Sequence, residues 1–122
     1  MTAEGRLDLV LDVGTGSVKG ALVDASGVRR REGERPLPGA SQEGNISEQD
    51  AQAWWTASSK LAADLTKNTT VVSRVVLTGQ MQTLTLNDHD GRPLRQAISY
   101  GDVRAQEEAI ELQDAIGEAA LR

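Results

Sequence analysis

Leu9-Val-Leu-Asp-Val-Gly-Thr-Gly-Ser-Val-Lys-Gly20, followed directly by Ala21-Leu-Val-Asp24, constrains this chain more than any other stretch. Two apolar runs flank the small residues Gly14, Thr15, Gly16 and Ser17, and an acid, Asp12, ends the first run. Small residues let a backbone approach a ligand closely, and their N–H groups can converge on an anion. A carboxylate repels a phosphate, so Asp12 is suited to orienting a metal ion or water beside one. A P-loop requires a glycine before its lysine, but Lys19 follows Val18. A dinucleotide fingerprint requires its third glycine where Lys19 stands, with a helix next; Val18, Ala21, Leu22 and Val23 read instead as a strand. The segment is a strand–turn–strand hairpin, either built around a phosphate or a plain Gly-rich hairpin.

At 122 residues the chain is long enough for one small domain. Its net charge is −5 and its basic residues are scattered, which argues against a nucleic-acid partner. Arg29, Arg30 and Arg31 form the one basic cluster, near Glu32 and Glu34, and read as a solvated strand edge. There is no cysteine, which excludes disulfides and thiolate metal sites. The single histidine, His89, lies in a polar turn, so a His-rich metal site is excluded. No apolar run is long enough to span a bilayer and the N-terminus lacks a signal-peptide pattern; a soluble cytoplasmic protein is expected. Phe is absent, so Val, Leu, Ile and Ala must build the core.

Strands are predicted from Leu7 to Asp12, Val18 to Asp24 and Val28 to about Arg35, a meander with a turn at Asp24-Ala-Ser-Gly27. Pro36, Pro38, Gly39 and Gly44 mark a loop. A helix follows, with Asp50 or Ser47 as N-cap and Trp54, Ser58, Leu61 and Leu65 at helical spacing. That spacing places Trp54 and Trp55 in the core rather than on a binding platform. Val71 to Leu77 is β-branched and reads as a fourth strand. Leu84 to Asn87 and Leu94 to Ser99 form a small hairpin whose polar turn, Asn87 to Gly91, lacks the later glutamate of a calcium loop. Asp102 is expected to cap a second helix that uses Val103, Ala109, Ile110, Leu112 and Ile116 and ends at Gly117. Three strands, helix, strand, small hairpin, helix is a mixed α/β order. With only Glu118 to Arg122 beyond, the chain reads as stopping mid-domain, leaving an uncovered sheet that invites self-association.

Four motifs resemble the N-terminal part of the FGGY carbohydrate kinases, and most closely their xylulokinase-like branch. Asp12-Val-Gly-Thr-Gly-Ser-Val-Lys19 is similar to the family's first phosphate loop. Glu48-Gln-Asp-Ala-Gln-Ala-Trp-Trp55 resembles its Glu-Gln-Asp-Pro-x-x-Trp-Trp segment, and Thr78-Gly-Gln-Met81 its Ser-Gly-Gln-Met-His-Gly. Asp90-Gly-Arg-Pro-Leu94, then Asp102-Val-Arg104, resemble its Asp-Gly-Arg-Pro-Leu and Trp-x-Asp-x-Arg run. The first motif is shared across actin-like ATPases; the others, in this order and spacing, make the match specific.

The resemblance implies an actin-like, ribonuclease-H-like domain, incomplete here: residues 1–122 would form part of the first, sugar-binding domain, without the rest of it or the second domain. It implies an enzyme moving the γ-phosphoryl of ATP, with Mg2+, to a sugar hydroxyl. Asp12 would be the catalytic acid acting through magnesium or its water, and Gly14, Thr15, Gly16, Ser17 and Lys19 would face the phosphates. Gln80, Met81 and Gln82 would lie near the sugar, with Asp102 and Arg104 shaping that side. No segment matches the family's catalytic base, so this chain alone is expected to be inactive.

The chain departs from the pattern at Gly16, Gln82, Thr83, Tyr100 and Gly101, where the family has Ser, His, Gly, Trp and Asn. The expectation of a pentulose such as xylulose therefore rests on the overall resemblance. A non-catalytic, degenerate actin-like module that binds a sugar, nucleotide or protein is the alternative. A ribonuclease-H-type nuclease is weaker, because it needs several clustered acids for two metals, and Asp12 is the only acid clearly at a strand end in the first sheet.

Overall fold

A computed structural model describes residues 6–68 and 72–117. Strands β1 (Leu7–Val13), β2 (Ser17–Asp24) and β3 (Arg29–Pro36) form the expected antiparallel meander. Then come β4 (Ser41–Glu43), β5 (Ile46–Gln49), α1 (Ala51–Thr66), β6 (Val72–Gly79), β7 (Ala97–Ile98) and α2 (Gln106–Ile116). The main sheet has the order β3-β2-β1-β6, with β6 parallel to β1 after the helical crossover. A second sheet has the order β4-β5-β7.

The β2–β3 turn is built by Asp24. Its carboxylate accepts from the Ser26 hydroxyl and from the N–H groups of Ser26 and Val28, and it meets Arg30. Those bonds, the Ser26 hydroxyl first, hold its carboxyl down at about 2.

Alternation along the strands sends Leu9, Leu11, Val18 and Leu22 to one face, where Ala57, Leu61 and Leu65 of α1 close the core. Asp50 caps α1: its carboxylate accepts from the Gln52 N–H at 2.9 Å. The helix sits close because paired glycines, Gly20 and Gly33, lie beneath it. A Cβ at Gly20 would stand 2.8 Å from Leu11, 3.0 Å from Leu65 and 3.1 Å from Leu61, and one at Gly33 would stand 3.0 Å from Leu61. The edge strand β3 is exposed along Arg29, Arg30 and Arg31, as expected. On β6, Val75, Val76 and Leu77 are exposed, since α1 covers only the β1–β3 side; Ile110, Leu112 and Ile116 of α2 are exposed as well.

Several expectations are corrected. The loop between Pro36 and the first helix contains the hairpin β4–β5, turning at Gly44, whose φ is 60°. Trp54 packs against the core, but Trp55 is 70% exposed. The helical spacing fitted both residues, yet adjacent positions lie about 100° apart and only one can face the sheet. The small hairpin is reduced to the bridges Leu84↔Ile98 and Asn87↔Pro93, because β7 pairs with β5. Asp102 does not cap α2, whose N-cap is Ala105, because its carboxylate is engaged elsewhere. Gly117 ends α2 as expected, donating to the Gln113 carbonyl. Val71 and Glu118 to Arg122 lie outside the described residues.

Candidate functional site

The β1–β2 turn is tied down through its carbonyls. The Gly14 N–H donates to the Ser17 carbonyl at 2.9 Å. The Gly14 carbonyl accepts from Gln80 Nε2 at 3.0 Å, Thr15's from Gln49 Nε2 at 2.7 Å, and Gly16's from the Leu37 N–H at 2.9 Å. These peptides are trans, so each following N–H points away from the carbonyl's partner. Among the described residues no protein acceptor meets the Thr15 or Gly16 N–H. The turn thus offers successive outward donors, the kind of backbone concavity that holds anions.

Asp12, one residue from the end of β1, pairs across the sheet with Lys19 on one side and Thr78 on the other. Its exposed carboxylate, Lys19, Ala21 and Glu34 line a concave surface of about 650 Å³. Among the described residues no three acidic or histidine side chains gather into a metal cage. An exposed carboxylate three residues before Thr15 of that turn fits Mg2+ that would arrive on a polyphosphate, because that ion keeps its waters and takes one or two protein carboxylates.

Behind the turn, β5 directs alternate residues to two networks. Gln49, 2% exposed, donates to Thr15 and to the Pro38 carbonyl at 2.9 Å, and accepts from Gln80 Nε2 at 3.1 Å. The Gln80 oxygen in turn accepts from the Thr83 hydroxyl. Gln80, Met81 and Gln82, adjacent in sequence, therefore separate in space: Gln80 turns under the β1–β2 turn, while Met81 is 82% exposed and Gln82 stands exposed with φ of 56°.

Asp102 and Arg104 form the other network. Asp102 Oδ2 accepts from the Ser47 N–H at 2.9 Å, and Arg104 Nη2 reaches both Asp102 and Glu48 at 2.7 Å. Arg95 also pairs with Glu48. The Arg104 guanidinium and, next, the Ser47 N–H hold the Asp102 carboxyl far below its ordinary value; Arg104 likewise lowers Glu48, and both acids raise Arg104. A depressed carboxyl stabilises the fold above its unfolded value of 3.8, and that contribution is lost as pH falls toward the folded value. Melting temperature should therefore drop on acidification below about pH 4, and Asp102→Asn should flatten that slope. An unchanged slope in a thermal-melt pH series would contradict this assignment.

Gln49, Glu48 and Ser47 were missed as site residues. The signal was present: Gly44-Asn45 between two short polar runs is a two-residue hairpin turn.

The sequence profile of the FGGY family of carbohydrate kinases, N-terminal domain, matches residues 7–122. The chain is 32% identical over 117 residues to a xylulose kinase of Streptomyces coelicolor, covering 96% of this chain and 24% of that protein. It is 31% identical over 114 residues to one from Staphylococcus epidermidis, covering 90% and 23%. A crystal structure of a xylulose kinase from Rhodospirillum rubrum superposes with a TM-score of 0.86 at 26% identity, over 94% of this chain and 24% of that one. The chain thus spans about a quarter of the length of these relatives. Among the described residues no helix is long and apolar enough to cross a membrane. With the profile spanning residues 7–122 and the fold shared, the chain belongs to the FGGY family of carbohydrate kinases.

Proposed function

We propose that this chain is the N-terminal part of an ATP-dependent carbohydrate kinase, with a pentulose such as xylulose as acceptor. One observation carries the reading: the turn that follows β1 leaves the Thr15 and Gly16 N–H groups without a protein acceptor among the described residues, three and four residues after the exposed carboxylate of Asp12. The turn binds and orients phosphate oxygens through backbone donors, which act without reorganising as charge moves. Lys19, the cross-strand neighbour of Asp12, adds positive charge on the same face. Asp12 holds Mg2+ or its water; the ion, when bound, neutralises charge developing on the transferring phosphoryl group. Met81 and Gln82, exposed beyond Gln80, present the sugar side. The reading carries with it a cytoplasmic setting for the reaction.

Phosphoryl transfer needs groups on both sides of the transferring phosphorus. The 122-residue chain alone should therefore release ADP from ATP and D-xylulose only at background rate. Exchanged for the matching segment of the full-length Streptomyces coelicolor relative, it should support xylulose-dependent ADP release in a coupled assay. A folded chimera that binds ATP without turnover would favour the non-catalytic module instead.

A further inference from the structure

We propose that Gln49 is a positioning residue, whose buried amide holds the phosphate turn in shape and locks it to the segment after β6. This rests on the kinase reading for what the turn binds, but not for how the turn is held. Both Gln49 amide hydrogens are committed, to the Thr15 and Pro38 carbonyls, and its oxygen accepts from Gln80. The reverse amide orientation would set that oxygen against two carbonyls, so the network fixes it. Gln80 commits its two hydrogens to Gly14 and Gln49. Every amide hydrogen of the pair is thus used within the protein. Two glutamines from different segments grip consecutive carbonyls, and this grip turns the Thr15 and Gly16 donors outward. Because the Gln80 oxygen also receives the Thr83 hydroxyl, displacement of the 80–83 segment is transmitted to the turn.

The alternation of β5 explains how the residue gets there. Ser47 and Gln49 face inward while Glu48 faces the Arg104 network. A buried glutamine is retained without loss only where its hydrogen bonds are complete, as they are here.

The test uses the 122-residue chain with backbone 15N relaxation and a MgATP titration. Gln49→Met keeps bulk and removes the hydrogen bonds; Gln80→Met cuts the same circuit from a half-buried position, should the first variant fold poorly. Leu22→Ala, in the core on β2 and outside the glutamine network, controls for general destabilisation. In wild type the order parameters of Thr15 and Gly16 should be near the rigid value of about 0.85, falling below about 0.6 in either glutamine variant. MgATP affinity should fall at least about tenfold. Leu22→Ala should lower the melting temperature while leaving the turn rigid. A rigid turn with wild-type affinity in the glutamine variants, or an equally loosened turn in Leu22→Ala, overturns the proposal. If wild type binds no MgATP, the kinase reading is decided by ADP release from the chimera, and the order-parameter contrast alone decides the role of Gln49.

Discussion

Asp12→Asn, made in the full-length chimera carrying this segment, should lower kcat by about a hundredfold or more while the melting temperature stays nearly unchanged. The substitution keeps size and most hydrogen-bonding capacity but removes the charge that would hold Mg2+. Asp12 is exposed and forms no ion pair among the described residues, so the fold does not depend on its charge. Its competing role is that of a turn cap, accepting backbone N–H groups as Asp24 does in the next turn. No backbone N–H among the described residues donates to Asp12, so this structure shows no such cap. A cap would couple activity loss to stability loss; a ligand role separates them. Steady-state kinetics and thermal melts on both proteins decide the matter, and near-native kcat in the variant would end the catalytic assignment.

Leu61→Ala should destabilise the chain by about 2–5 kcal/mol. Leu61 is buried against β1–β3, and its two methyl groups rest over Gly20 and Gly33, where the backbone offers no side chain to collapse into the space. A cavity there stays open, which puts the loss toward the upper end of that range. Against a total stability of about 5–15 kcal/mol, the shift in melting temperature should be about 10 °C or more. Trp55→Ala removes a larger side chain six residues earlier on the same helix but should change stability by about 0.5 kcal/mol or less, since the ring is exposed. Urea titrations with unchanged slope and a lowered midpoint for Leu61→Ala would confirm the ranking; equal losses would refute it.

The meander, the helix after it and the fourth strand were legible because each is written in local pattern: β-branched runs, a turn at Asp24-Ala-Ser-Gly27, an N-cap at Asp50. The turn at Gly14–Ser17 and its acid were legible for the same reason. The second sheet was not, because Ser41–Glu43 and Ile46–Gln49 carry little apolar alternation and their partner strand β7 lies far along the chain. Strands held by non-local pairing and polar networks leave a weak trace in periodicity. Asp102 shows the same limit. Its position before a helical pattern suggested a cap, while the Ser47 N–H that it binds comes from 55 residues earlier. The separation of Gln80 from Met81 and Gln82 could not be read from adjacency, since the chain leaves β6 there and Gln82 takes a left-handed conformation.

The glycine pair beneath α1 has a reach beyond the core. Asp50, which caps that helix, is the next residue after Gln49, so helix height and amide position share one stretch of backbone. Any side chain added at Gly20 or Gly33 acts as a shim under the helix. Raising the helix lifts the end of β5 with it and draws the Gln49 amide off the Thr15 carbonyl. The spacing between two layers of apolar packing thereby gauges the shape of the polar turn that joins β1 to β2.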